Sequence, residues 1–173
     1  MSNKKYEHWC DLYHPSEEEK EKRVSELEKQ SEQFYKDVEK WLLEDISKYI
    51  KECMEDESPI KKNHIARKCY RILDNAEELV STIKDANGVY AIYGVDWEYR
   101  RKRWLKARGL CFKLNSQLQQ VASTVVAKTN IEKYTRLAGI TYKLANMIKN
   151  NMASDDIKKK EHCREYLPSE IKH

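Results

Sequence analysis

The chain has 173 residues with only 4 Gly and 3 Pro, while charged residues make up 36% of it. That length supports one domain with a real core, and so little Gly and Pro argues against a sheet protein with many tight turns. The net charge of +4 is mild but unevenly spread: residues 1–58 hold 10 basic against 17 acidic side chains, residues 59–128 hold 14 against 6, residues 129–153 hold 4 against 1, and the last twenty balance at 5 against 5. An acidic arm in front of a basic middle points to a polyanionic partner for the latter.

The first fifteen residues form an aromatic arm, Tyr6, Trp9, Leu12 and Tyr13, closed by His14-Pro15, which is expected to dock on its own bundle or on a neighbour. They contain no secretory apolar segment, and no run of about 18 apolar residues exists anywhere, so a cytoplasmic protein without a membrane span is expected. The cysteines Cys10, Cys53, Cys69, Cys111 and Cys163 are odd in number and far apart, which reads as reduced thiols.

Ser16 with Glu19 forms a capping box that starts a helix running to about Met54, roughly 57 Å long. Its apolar positions recur near 3.6 residues, through Phe34, Val38, Trp41, Leu42, Ile46 and Ile50, and the half from Phe34 onward is the better bundle member. Ser58-Pro59 caps the next helix, with Ile65, Cys69, Ile72, Leu73, Ala76, Leu79, Val80 and Ile83 on one face. Asn87-Gly88 is expected to end it, glycine taking the left-handed conformation of a C-terminal cap, and Val89 to Val95 is a loop.

Asp96 is read as the cap of the third helix, which extends to about Ala127, and Thr129 with Glu132 as the capping box of the fourth. The fourth helix buries Ile131, Tyr134, Leu137, Ala138, Thr141, Leu144, Ala145 and Ile148, and closes near Asn150-Asn151 before a charged tail. Four amphipathic helices with short connections predict an all-α, antiparallel up-down-up-down four-helix bundle over 34–152, preceded by an arm and helix extension over 1–33 and followed by a tail over 153–173.

The third helix carries the strongest functional signal. With Arg100 set at zero on the helical wheel, Ala107, Cys111, Leu114, Leu118, Ala122 and Val125 fall within about 40° of it, and Arg103 sits about 60° away. Lys102, Lys106 and Lys113 point the other way, at about 200° to 240°. Arginine beside an apolar stripe calls for a partner, either an internal carboxylate such as Asp45 or an external phosphate, and Trp97, Tyr99 and Trp104 offer rings for stacking. The candidate nucleic-acid contacts are therefore Arg100, Arg101, Lys102, Arg103, Lys106, Arg108 and Lys113, joined by Lys61, Lys62, Arg67, Lys68 and Arg71 of the second helix. Lys133, Arg136 and Lys143 add a basic flank on the fourth.

Ile140 and Met147 lie seven apart and off the main apolar face, a pattern that reads as an oligomer interface. Gly109 and Gly139, both mid-helix, are expected to permit close helix approach. His8, Cys10 and His14, even with His162-Cys163, lack paired metal-ligand spacing, and Asp155-Asp156, Glu17-Glu18-Glu19 and Glu77-Glu78 read as solvated charges. No nucleophile, acid–base or phosphate-loop pattern is present, so neither catalysis nor a metal or other cofactor is expected.

Three stretches carry a resemblance: Arg67-Lys68-Cys69-Tyr70; Arg100 to Arg108 leading into Leu110-Cys111-Phe112-Lys113-Leu114-Asn115; and Tyr134-Thr135-Arg136-Leu137-Ala138 leading to Leu144-Ala145-Asn146-Met147-Ile148. From about Phe34 to Met152 the chain resembles the four-helix-bundle accessory variability determinants of diversity-generating retroelements and the related proteins of ribosomal RNA intervening sequences. Residues 1–33 and 154–173 lie outside the resemblance. It implies a homopentameric barrel with a basic surface that binds template RNA or cDNA and a reverse transcriptase, supporting mutagenic retrohoming without being an enzyme. The alternative is a helical interaction module in which the acidic first helix and the basic middle pair with each other and no nucleic acid is bound.

Overall fold

The computed structural model describes residues 25–125 and 131–164, and among these it is helical throughout apart from short connections. We name the elements α1 (Glu26–Lys40), a π-helical stretch (Trp41–Ile46), α2 (Ser47–Cys53), α3 (Pro59–Gly88), α4 (Gly94–Val125) and α5 (Ile131–His162). Among the described residues the strand content is one isolated bridge between Tyr93 and Arg164, and no helix is long and apolar enough to cross a membrane. The aromatic arm, the capping boxes read at Ser16 and Thr129, and the His8, Cys10, His14 group lie outside the described residues.

The first rod is not one regular helix. At 100° per residue, Ile46 would stand about 120° around the axis from Phe34, off the face that Phe34 and Val38 bury. The π-helical stretch takes up an extra residue and rotates the following turn back, so that Phe34, Val38, Trp41, Leu42 and Ile46 are all buried. At its start, Ser25 caps the helix, its hydroxyl accepting from the Glu28 amide at 3.2 Å, in the same Ser-x-x-Glu pattern as that read nine residues upstream.

α3 begins as expected, with the Ser58 hydroxyl accepting from the Lys61 amide and Pro59 in the first turn. Its end differs. Gly88 does not take the left-handed conformation; the cap is Val89 in extended backbone, and the Asn87 amide group is held by Ser25 Oγ (2.8 Å) and the Glu28 carboxylate. Tying this end to the start of α1 replaces the glycine cap.

α4 starts three residues earlier than expected, at Gly94 where a cap at Asp96 would put its first residue at Trp97. Asp96 lies in its first turn, its carboxylate accepting from the amides of Ile92 (3.1 Å) and Tyr93 (2.9 Å). It satisfies the free donors before the helix by reaching backward and is not itself the cap. α5 runs through Asn150-Asn151 to His162, and Arg164 closes against Ile92. The expected break after Asn151 does not occur.

The core is one cluster drawn from every long helix, with Trp41, Trp104, Ile72, Leu79, Leu114, Leu118, Leu144 and Ile148 among its enclosed side chains. Leu27 and Ser31 are buried ahead of the 34–152 span and Asp155 after it. Polar crossbars run between the helices. Asn75 on α3 donates to Gln117 on α4 (2.9 Å), and Asn115 on α4 donates to Thr141 on α5 (3.0 Å). Part-buried amides of this kind penalise a shift in helix register, because the shift would leave them unpaired.

Gly109 and Gly139 face outward, and a Cβ at either would meet nothing within 4 Å, so close helix approach within the chain does not explain them. Gly109→Ala and Gly139→Ala are each expected to raise stability by about 1 kcal/mol through helix propensity, read from urea denaturation midpoints at unchanged slope. Ile140 and Met147 are half-buried and pack against the chain's own core.

Burial pushes the Cys69 thiol up to about 11 and the Cys111 thiol up to about 12, whereas Cys53 is exposed. Because the thiolate is the reactive form, alkylation of native protein at pH 8 is expected to label Cys53 and to leave Cys69 and Cys111 unmodified until denaturant is added, as followed by peptide mass mapping.

Candidate nucleic-acid interface

The basic run on α4 divides between two seams because consecutive residues of a helix face different ways. On the α5 side, Arg100 is largely buried. Its Nε donates to Asp155 at 2.5 Å, its Nη1 to the Val89 carbonyl at 3.2 Å, and its guanidinium lies 5.7 Å from the Trp104 ring centre. Trp104 Nε1 donates to the same Asp155 oxygen at 2.8 Å. The internal carboxylate is therefore Asp155 and not Asp45, which pairs instead with Lys133. Reading Asp155 as a solvated charge is corrected by its 8% exposure. A signal was present: Asp155 falls seven residues after Ile148 and fourteen after Thr141, on the continuation of the buried stripe.

The neighbouring Arg101 forms an exposed pair with Asp156, and Arg108 lies 5.4 Å from the centre of the Phe112 ring, which meets Tyr142 of α5 edge-on at 6.4 Å. Arg103 sits between the seams, stacked 4.8 Å over Tyr99 and donating to its hydroxyl at 2.7 Å.

On the α3 side the three lysines share one seam. Lys106 pairs with Glu78 at 2.6 Å, so Glu78 is not a free solvated charge. Lys113 donates to the neutral Asn75 side chain at 3.0 Å, and Lys102 is exposed with no partner among the described residues. Along α3, Arg71 and Lys68 precede Asn75 by four and seven residues, which places them on the same side. Arg67 stands one turn before Arg71 on the outer flank, and Arg67, Lys68 and Arg71 have no ion-pair partner among the described residues. Lys61 is paired with Glu57, and Lys62 donates to the Glu55 carbonyl, so both serve the turn before α3.

Apart from Arg103 and Arg108, which lie against the Tyr99 and Phe112 rings, the candidate contacts separate into two sets. Lys61, Lys62, Arg100, Arg101 and Lys106 have partners that neutralise or anchor them. Arg67, Lys68, Arg71, Lys102 and Lys113 keep their charge unopposed along the α3–α4 seam, with Asn75 and Gln117 between them. From Lys102 to Lys113 this strip covers roughly 16 Å of helix, enough for several consecutive phosphates. The basic flank of α5 is different: Lys133 meets Asp45 at 2.8 Å and Arg136 meets Asp37 at 3.4 Å, both on the first rod.

Among the described residues no group of three or more His, Cys, Asp or Glu side chains is placed to hold a metal ion. No protein-family model matches the chain, and no curated protein or solved structure is significantly similar to it.

Proposed function

We propose that the chain is a non-enzymatic nucleic-acid-binding accessory protein, an antiparallel up-down-up-down bundle that binds RNA or cDNA along the α3–α4 seam. The observation that carries the proposal is the strip of unopposed cations Arg67, Lys68, Arg71, Lys102 and Lys113. Backbone phosphates suit it because the cations are spaced along a seam and not gathered in a pocket, and such contacts position a strand without reading its sequence. The order of the interhelical pairs supports the topology: Arg100 with Asp155 and Asn115 with Thr141 run in opposite senses along α4 and α5, as do Asn75 with Gln117 and Glu78 with Lys106 along α3 and α4.

The retroelement role, the reverse-transcriptase partner, the cytoplasmic setting and the homopentamer rest on the sequence reading alone. One observation favours a second reading, a helical interaction module without nucleic acid: the acidic first rod spends Asp37, Asp45 and Glu32 on Arg136, Lys133 and Lys84 of its own chain. A mobility shift of single-stranded RNA by the full chain across a salt series separates the two. Binding at low salt that weakens steeply as salt rises supports the first reading, and absence of binding at low salt leaves the second.

A further inference from the structure

The rings open to solvent on α4 are not the tryptophans expected to stack. Trp97 and Trp104 are 8% and 0% exposed, and Tyr99 lies under the Arg103 guanidinium. The open pair stands on the other flank of α4. Phe112 is 43% exposed and Tyr142 of α5 54%, and their edge-on contact at 6.4 Å leaves both rings reachable from outside. Leu105, 49% exposed, lies two turns earlier on the same side of α4. Between this patch and the lysines of the α3–α4 seam lies Gly109. Its neighbours on the helix surface are Leu105 and Phe112 on one side and Lys106 and Lys113 on the other, all four exposed, and a Cβ there would meet nothing within 4 Å. A mid-helix glycine weakens the helix, and no contact within the chain calls for this one. It lowers the outer ridge of α4 to backbone level between rings and cations that stand about 100° apart around the axis, roughly 10 Å over the surface.

We infer, resting on the nucleic-acid reading of the α3–α4 seam, that the ligand is single-stranded: phosphates follow the seam while unpaired bases cross Gly109 and stack on Phe112 and Tyr142. Charge favours this occupant over an apolar protein surface. Lys113 borders the patch on the seam side, and the Arg108 guanidinium lies 5.4 Å from the Phe112 ring centre. Lys149 follows Tyr142 by seven residues and so shares its side of α5. None of these three cations has a carboxylate partner among the described residues. Exposed rings bordered by unopposed cations suit a ligand that is anionic along its backbone and flat in its side groups. A duplex lacks that combination, because its bases are already stacked on one another and only their edges face the grooves. Stacking on a ring face also tolerates any base, in keeping with phosphate contacts that do not read sequence.

Fluorescence anisotropy of the full chain with a labelled RNA of about twenty nucleotides, alone and annealed to its complement, tests this. Phosphate contacts by themselves favour the duplex, whose charge density is higher, so a preference for the single strand reports the rings. Wild type is expected to hold the single strand at least about tenfold tighter than the duplex. Phe112→Gln with Tyr142→Gln is expected to weaken the single strand about tenfold and the duplex less than about twofold, at an unchanged salt slope because no phosphate contact is lost. Gly109→Gln raises the ridge with a better helix former, so it is expected to be at least as stable as wild type and still to weaken the single strand severalfold. Equal wild-type affinity for the two RNAs, or variants that weaken both alike or neither, would overturn the single-strand inference and leave the seam reading standing. Absence of binding to either RNA at low salt would overturn both. A fall in particle mass by light scattering in the Phe112→Gln, Tyr142→Gln variant, at unchanged single-strand affinity, would overturn it in favour of self-association through the patch.

Discussion

Asp155→Ala is expected to destabilise the protein by about 2–4 kcal/mol, lowering the melting temperature by roughly 5–12 °C, while Asp156→Ala next to it costs less than about 1 kcal/mol. The two carboxylates are adjacent in sequence and each meets an arginine of α4, so chemistry alone does not distinguish them. Burial does. Asp155 and Arg100 have side chains 11% and 18% exposed, against 53% and 51% for Asp156 and Arg101. Removing Asp155 leaves Arg100 Nε and the enclosed Trp104 N–H without their acceptor, and water reaches neither freely. Removing Asp156 frees an arginine that is already hydrated. Asp155→Asn keeps an acceptor for Trp104 but not the charge, and is expected to fall between the two. Equal losses for the two alanine variants, read from thermal or urea unfolding, would show that the Arg100–Asp155 contact does not hold the ends of α4 and α5 together.

The same comparison shows what was readable from sequence. The apolar faces of α3, α4 and α5 follow from 3.6-residue spacing, and the Ser58-Pro59 start of α3 follows from its capping chemistry. Local pattern failed where distant residues decide. Asn87-Gly88 has the composition of a glycine cap, yet Asn87 is engaged by Ser25 and Glu28, some sixty residues away. Asn150-Asn151 looks like a helix end, but α5 continues through it and carries Asp155 to Arg100. The π-helical stretch was implicit in the phase drift between Phe34 and Ile46, which an average period conceals. The wheel separated lysines from arginines on α4 correctly, but it has no knowledge of α3, and so could not distinguish Lys106, neutralised by Glu78, from Lys102 and Lys113.

That distinction sets the second large effect, on RNA affinity. Charge removal at Arg101 or Lys106 would break a pair within the chain and mix folding with binding. Arg71, Lys102 and Lys113 have no carboxylate partner among the described residues, so Arg71→Gln, Lys102→Gln and Lys113→Gln together act mainly on the ligand, the bond lost within the fold being that of Lys113 to Asn75, worth about 1 kcal/mol. Each lost phosphate contact on a single strand makes the slope of log affinity against log salt shallower by about 0.7, so three make it shallower by about 2. At low salt the loss of affinity is on the order of 10–100-fold. Lys133→Gln with Arg136→Gln, whose cations are already opposed by Asp45 and Asp37, is expected to change affinity severalfold at most.

The decisive measurement is RNA affinity of the full chain as a function of salt, wild type beside the Arg71→Gln, Lys102→Gln, Lys113→Gln variant. A steep salt dependence that becomes shallower by about 2 in the variant, with the melting temperature lowered by no more than about 4 °C, is the predicted result. Wild-type RNA binding that is absent at low salt, or that the triple variant leaves untouched, would contradict a nucleic-acid interface on the α3–α4 seam.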